Sequence, residues 1–302
     1  MKILIAGASG MLGSAIVRRL SKTDHILYTP SSSQMNLTDY TSTYNAFKET
    51  CPEYVIFCAG KVGGLYDNMS NSELYFSENR KMGFIFFDVA STFGVPNGIN
   101  FSSSCAYSPS IELPYKEKDY FVGEVNRSNR GYAEAKRQVT DNLLKINRKE
   151  QTKYVTLVPP NLFGIKDNYN LKTGHMIASA IAKVVNSART GEPATIKGSG
   201  LAKREIMSVD RLADIVSILI ENHDMLPPIL NVGTGESVSV LSIYEKVAKL
   251  CKVTPVFNFT NDTDDILDKK MDISLLNSIL TEIELSKAIK DYESDLNLGR
   301  LH

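Results

Sequence analysis

Two groups of residues in this 302-residue chain have the types and spacing of a reductase site. The first is Gly7-Ala8-Ser9-Gly10-Met11-Leu12-Gly13, with a glycine at every third position. Such a turn suits a dinucleotide when a strand precedes it and a helix follows. The first glycine closes the turn, the second lets backbone approach a pyrophosphate, and the third lets the helix pack on the strand. The first N–H groups of the helix then face the phosphates. The plain alternative is an ordinary glycine-rich connection. The second group is Tyr132 and Lys136, four residues apart and so on one face of a helix. An ammonium beside a phenol favours the phenolate, so Lys136 is expected to lower the pKa of Tyr132. A tyrosine so placed can give a proton to a carbonyl oxygen as hydride arrives, then recover it. The Tyr-x-x-x-Lys spacing alone is common on exposed helices. Its place about 120 residues after a dinucleotide turn makes it specific.

A third set lies between them. Phe101-Ser102-Ser103-Ser104-Cys105 closes an apolar run that reads as a strand. Ligands of parallel sheets bind beyond the carboxyl ends of the strands, so Ser103 can bond the same substrate oxygen as Tyr132. Cys105 stands in the same place and can act as a base. The bland reading of Cys51, Cys58, Cys105 and Cys251 is that each is a small buried hydrophobe.

These residues need a scaffold, and the first half of the chain supplies one. Strands are expected at Lys2–Ala6, His25–Thr29, Tyr54–Cys58, Gly98–Ser102 and Tyr154–Val158. Helices are expected at Gly13–Leu20, Tyr40–Thr50, Glu73–Phe93 and Tyr132–Arg148. Alternation of helices with continuously apolar strands predicts a parallel sheet covered on both faces. The pattern loosens after about residue 160. Asn161–Thr173, Thr190–Ile206 and Asn258–Lys270 read as polar loops, and Val209–Asn222 and Leu241–Cys251 as helices. The expected fold is α/β: a Rossmann-type doubly wound parallel sheet over residues 1–160, with a smaller mixed α/β substrate-binding lobe over 161–302 that sends segments back to the sheet.

Composition narrows the function. Net charge is zero, which removes a broad electrostatic footprint for nucleic acid. No apolar run approaches the roughly 18 residues that cross a bilayer, and the N-terminal run is too short for a secretory signal, so a cytoplasmic location is expected. With four cysteines in no C-x-x-C pair and four histidines, neither a metal site nor a disulfide framework is expected. The loop after the second strand, Tyr28-Thr29-Pro30-Ser31-Ser32-Ser33, has hydroxyls and no carboxylate. That favours NADP(H) over NAD, although no arginine sits there. Beyond it lie Asn36 and Asp39. Either Asp39 reaches the adenine amino group, or Thr38 or Asp39 caps the next helix.

Together these motifs resemble extended short-chain dehydrogenases/reductases, and within them the GDP-L-fucose synthase family. The specific segments are Ala59-Gly60-Lys61-Val62-Gly63-Gly64 and Ser103-Ser104-Cys105-Ala106-Tyr107. Pro160-Asn161-Leu162-Phe163-Gly164, Gly174-His175-Met176-Ile177 and Gly198-Ser199-Gly200 followed by Arg204-Glu205 are also similar. The resemblance implies NADPH-dependent 3,5-epimerisation and C4-keto reduction of a GDP-4-keto-6-deoxy sugar. Cys105 would be the base and His175 the acid of epimerisation. Ser103, Tyr132 and Lys136 would serve the reduction. The cofactor would lie on Gly7 to Gly13, Asn36, Asp39, Ala59, Lys136, Pro159, Asn161, Leu162 and His175. Lys61, Lys183, Lys197, Arg204 and Asp265 would hold the sugar nucleotide, with Lys270 near them. The resemblance also implies a homodimer through a four-helix bundle made by Glu73–Phe93 and Tyr132–Arg148.

Departures are visible. Ala8 and Ser9 stand where the family often carries histidine and arginine. Lys183 replaces an arginine and Lys197 a tryptophan, both in the nucleotide-sugar pocket. Three alternatives therefore stay open: a C4-reductase without epimerisation on a related sugar such as a deoxyheptose, a C5-epimerase/C4-reductase of the colitose type, and a cofactor-binding regulatory protein without catalysis.

Overall fold

The computed structural model describes residues 1–170, 174–260 and 266–297. In chain order the elements are β1 (Lys2–Ala6), α1 (Met11–Leu20), β2 (Ile26–Tyr28), α2 (Tyr40–Thr50), β3 (Tyr54–Phe57), α3 (Leu65–Ser70), α4 (Ser72–Thr92) and β4 (Asn97–Phe101). Then follow α5 (Arg130–Glu150), β5 (Lys153–Val158), β6 (Asn161–Phe163), α6 (Met176–Thr190), β7 (Ala194–Ile196) and β8 (Lys203–Ser208). The rest are α7 (Val209–Glu221), β9 (Ile229–Asn231), β10 (Ser237–Ser239), α8 (Val240–Cys251), β11 (Phe257–Phe259) and α9 (Ser274–Asn297).

The main sheet runs β2-β1-β3-β4-β5-β9, with every neighbouring pair parallel. Alternation along each strand feeds both faces. Ile3 and Ile5 of β1, with Tyr54 and Ile56 of β3, join the core beneath α1 and α7. Leu4 and Ala6, with Val55 and Phe57, join Phe47 of α2, Phe86 and Phe87 of α4, and Val139 and Leu143 of α5 on the other face. Both faces are buried, which is why these strands read as unbroken apolar runs. Each large side chain so buried contributes about 1.5–3 kcal/mol. Helices α4 and α5 lie side by side, brought close at Gly83, where a Cβ would press into Val139.

The late segments are not the loops expected from their polarity. Thr190–Ile206 contributes β7 and the start of β8, Asn161–Thr173 contributes β6, and Asn258–Lys270 overlaps β11. These short strands build two small sheets, β10-β8-β6 and β11-β7. A further core lies between α6 and α8, around Ile177, Val184, Ile196 and Val247. Meanwhile α7 packs beside α1, and β9 extends the main sheet at β5.

The cysteine expectation also needs correction. Cys51 and Cys251 are exposed, and Cys58 and Cys105 only partly covered. Cys51 occupies the left-handed residue that ends α2, and Cys251 the last position of α8. Helix ends of this kind lie at the surface. Among the described residues, no helix is long and apolar enough to cross a membrane, and no cluster of histidine, cysteine and acidic side chains could hold a metal ion.

Candidate active site

The glycine turn joins β1 to α1 as its spacing requires. Gly7 has φ +77°, and a Cβ there would strike the backbone of Ala59 at 2.7 Å. A Cβ on Gly13 would collide with the Gly7 carbonyl. At Gly10 the added carbon would meet only that carbonyl, at 3.4 Å, so the space above it is open. No side chain caps α1, whose N-cap is Gly10. The first amides of Met11, Leu12 and Gly13 therefore face an open cradle fit for the phosphates of a dinucleotide. Ala8 is partly covered and Ser9 is exposed. Asp39 proves to be the cap of α2, its Oδ1 accepting from the Ser42 amide at 2.6 Å. The exposed Asn36 uses Oδ1 to hold the Thr38 amide and hydroxyl, at 3.0 and 2.8 Å.

The catalytic candidates gather where β4 ends. Helix α5 starts at Arg130, one half-turn before the expected Tyr132, and brings Tyr132 and Lys136 towards that end. Lys136 is 6% exposed, and its Nζ donates to the Phe101 carbonyl at 2.8 Å. The same ammonium lies 5.6 Å from the ring centre of Tyr132 and 5.9 Å from that of Phe57. Beyond Phe101 the chain makes a tight turn, Ser104–Ala106. Ser103 Oγ accepts from the Cys105 amide at 3.2 Å, and Ser104 donates its amide to the Pro159 carbonyl at 2.9 Å. Arg137, one residue past Lys136, donates to the Ala106, Gly123 and Val122 carbonyls at 2.7, 2.7 and 3.0 Å. The helix that carries the tyrosine thus also grips the turn that carries the cysteine.

The electrostatics differ from expectation. Burial is the largest influence on Tyr132 and raises its pKa, with nearby Cys105 and Tyr120 adding to the rise. Lys136 does not draw it down, because its ammonium is spent on the Phe101 carbonyl and is itself pushed down to about 8 by burial. Tyr132 is therefore a protonated acid, not a phenolate. Cys58 is raised by burial, opposed by Lys136.

Other candidates fall around this centre. His175 precedes α6, and its Nδ1 lies 3.5 Å from Asp167 Oδ1, a long contact that orients the ring only loosely. Asn161 donates from Nδ2 to the Glu205 carbonyl at 3.1 Å, and Leu162 packs against the core below α1. Lys61 is exposed, while its backbone is clamped by Asn79, which accepts from its amide at 2.8 Å and donates to its carbonyl at 3.0 Å. Arg204 donates to the Lys203 and Ile266 carbonyls. Burial raises the pKa of the Tyr115 phenol; nearby Arg204 opposes that rise, and Cys105 and Asp268 add to it. Arg204 and Cys105 thus border the same tyrosine. Lys183 lies apart from these contacts, donating to the Thr195 carbonyl at 2.9 Å, and Lys197 is exposed. Asp265 lies outside the described residues.

Sequence reasoning missed Lys269. Next to Lys270, Lys269 turns inward, 7% exposed with Nζ 3.7 Å from Cys105 Sγ. The paired lysines before Met271 were the available signal. Asn79 was also missed.

Fold and site define a Rossmann-type oxidoreductase-like architecture with a serine, tyrosine and lysine at the carboxyl ends of its central strands. The profile of the NAD dependent epimerase/dehydratase family matches residues 3–233, and the chain belongs to that family. It is 31% identical to GDP-L-colitose synthase of Yersinia pseudotuberculosis over 299 residues, 98% of this chain and 96% of that one. It is 30% identical to GDP-L-fucose synthase of Azorhizobium caulinodans over 280 residues, 92% of this chain and 90% of that one. A crystal structure of a GDP-L-fucose synthetase from Naegleria fowleri bound to NADP superposes with TM-score 0.83 at 23% identity, covering 92% of this chain and 86% of that one.

The buried ammonium yields a test of the site. The folded pKa of Lys136, about 8, lies below the ordinary 10.5, so the fold disfavours its charged form. Lys136→Met should stabilise the protein by about 1–2 kcal/mol below pH 8, after allowing for the lost bond to Phe101. That gain should vanish as pH rises through about 10.5. Urea unfolding at pH 7 and pH 10.5 measures both. A variant equally destabilised at the two values would contradict this account of the burial.

Proposed function

We propose that this chain catalyses NADPH-dependent 3,5-epimerisation and C4-keto reduction of a GDP-4-keto-6-deoxy sugar. One observation carries the reading: Cys105 stands on the turn just past β4, where a ketone would lie, and Arg137 of the helix that carries Tyr132 donates to that turn at the Ala106 carbonyl. Simple carbonyl reduction needs the tyrosine but has no use for a base beside it. The full-length likeness to colitose and fucose synthases supports the same substrate class. The hydroxyl-bearing Thr29–Ser33 loop, with no carboxylate to repel a 2′-phosphate, supports NADPH.

In this reading, Cys105 takes a proton from the carbon beside the C4 ketone. The C–H electron pair moves into an enolate, with charge on the ketone oxygen. Ser103 and Tyr132 hold that oxygen by hydrogen bonds. His175, beside Asp167, returns a proton to the opposite face. Once water has taken the proton from Cys105 and resupplied one to His175, repetition at the other flanking carbon completes the inversion. When bound, the nicotinamide supplies hydride to C4. Tyr132, kept protonated by its burial, gives its proton to the oxygen. Lys136 would hold the nicotinamide ribose, and the glycine turn would hold the phosphates. Arg204, with Lys61, Lys183, Lys197 and Asp265, binds the sugar nucleotide.

A panel of nucleotide-linked 4-ketosugars assayed with NADPH and NADH tests the substrate and cofactor. Turnover should be highest with a GDP-linked 6-deoxy ketone and NADPH. Tyr132→Phe should lower hydride transfer by about 10²–10⁴-fold. Preference for a non-GDP sugar, or NADPH oxidation retained by Tyr132→Phe, would refute the assignment.

We further propose a cytoplasmic homodimer joined through α4 and α5. The outer side of α4 leaves Leu74 43% exposed, with Phe84 and Ile85 only partly covered. Light scattering should give twice the 33.5 kDa chain mass. A single-chain mass at micromolar concentration would exclude the dimer.

A further inference from the structure

Glu205 carries a carboxylate that the mechanism above leaves unused. It sits on β8 and is 2% exposed. Oε1 accepts from the amides of Thr234 and Gly235 at 2.5 and 3.0 Å, and from the Thr234 hydroxyl at 3.4 Å. Oε2 accepts from the Met271 amide at 2.8 Å. The Glu205 amide in turn donates to the Lys269 carbonyl at 3.1 Å. A Cβ on Gly233 would run into Oε1, so the turn after β9 is shaped around this carboxylate. One side chain thereby fastens β8 to that turn and to residues 269–271.

The fastened segment has a second anchor on the side of the candidate base. Tyr115 pairs with Met271, donates its amide to the Lys270 carbonyl at 2.9 Å, and accepts at its own carbonyl from the Asp272 amide at 2.8 Å. Held between Glu205 and Tyr115, the segment points Lys269 at Cys105, Nζ to Sγ 3.7 Å. An ammonium brought this deep loses hydration, and a fixed backbone is needed to keep it there. A thiolate is the form of cysteine that accepts a proton, and a neighbouring cation favours it.

We infer that Lys269 pairs with the Cys105 sulfur when that sulfur carries negative charge, and that Glu205 is the positioning residue that holds Lys269 there. The inference rests on the epimerase role proposed for Cys105. In the charged form of the site the Cys105 proton has passed to water, and the Lys269 ammonium lies 3.7 Å from the sulfur that bears the charge. The sulfur then accepts the proton from the sugar carbon, whose electron pair passes to the enolate. Lys269 keeps its own protons throughout.

The test uses the sulfur directly. In the folded wild-type protein, alkylation of Cys105 by iodoacetamide is followed by peptide mass spectrometry, with the exposed Cys51 and Cys251 as references in the same molecule. Lys269→Met should slow Cys105 alkylation about tenfold against those references, and Lys269→Arg should recover part of it. With the ketosugar in heavy water, Lys269→Met should lower deuterium uptake beside the ketone at least about tenfold more than it lowers oxidation of the reduced product by NADP⁺. Glu205→Gln keeps the bonds at Oε1 but turns an amide donor towards the Met271 amide. It should reproduce the same imbalance more weakly, with a cooperative melt showing that the fold persists. Unchanged alkylation and exchange in Lys269→Met would overturn the pairing. An equal loss of exchange and product oxidation in Glu205→Gln would make that residue merely structural and overturn its positioning role. Slower alkylation in Lys269→Met alongside a wild type that exchanges no deuterium would uphold the pairing and refute the epimerase reading instead.

Discussion

The contact between the Lys136 ammonium and the Phe101 carbonyl fixes everything the site can do. It joins the middle of α5 to the last residue of β4 at 2.8 Å, inside the protein. Desolvating a lysine opposes folding, so the charge persists only because a carbonyl and two aromatic rings surround it. Once that bond is made, Tyr132 lies one helical turn back along the same face, and Arg137 lies where it can clamp the Ser104–Ala106 turn. Serine, tyrosine and cysteine are then brought to one strand end by a single helix. Stability is given up at Lys136 and geometry is gained at Ser103, Cys105 and Tyr132.

The buried tyrosine gives the site its chemical character. Burial raises its pKa, so the phenol keeps its proton. An acid in that state can stabilise an oxyanion by hydrogen bonding as well as protonate it. Enolate formation and carbonyl reduction both place negative charge on the same ketone oxygen. One acid can therefore serve two reactions, provided that a separate base works on the flanking carbons. In the proposed mechanism that base is Cys105, with the Lys269 ammonium 3.7 Å from its sulfur.

How much of this was legible in the sequence follows from physics. The parallel strands β1, β3, β4 and β5 could be read because burial on both faces makes their apolar runs continuous. The glycine turn could be read because each glycine answers a distinct steric demand. The strands β7 and β11 could not. Each has three residues, and they pair with each other across more than sixty residues, so neither shows local periodicity. Lys269 went unnoticed for the same reason. Without knowing that residues 269–271 are held extended between Glu205 and Tyr115, nothing local says which lysine faces inward. The pKa of Tyr132 was misjudged because spacing gives the proximity of a charge, while burial and the claim of the Phe101 carbonyl on that charge appear only in three dimensions.

The central claim is that one pocket performs both proton exchange beside a ketone and hydride transfer to it. The most direct measurement is nuclear magnetic resonance of the product formed by the wild-type enzyme from a GDP-4-keto-6-deoxy sugar and unlabelled NADPH in heavy water. The account predicts deuterium at C3 and C5 with hydrogen at C4, since the first two hydrogens come from solvent and the third from the cofactor. A product carrying hydrogen at all three carbons would show a reductase that does not epimerise, and would contradict it.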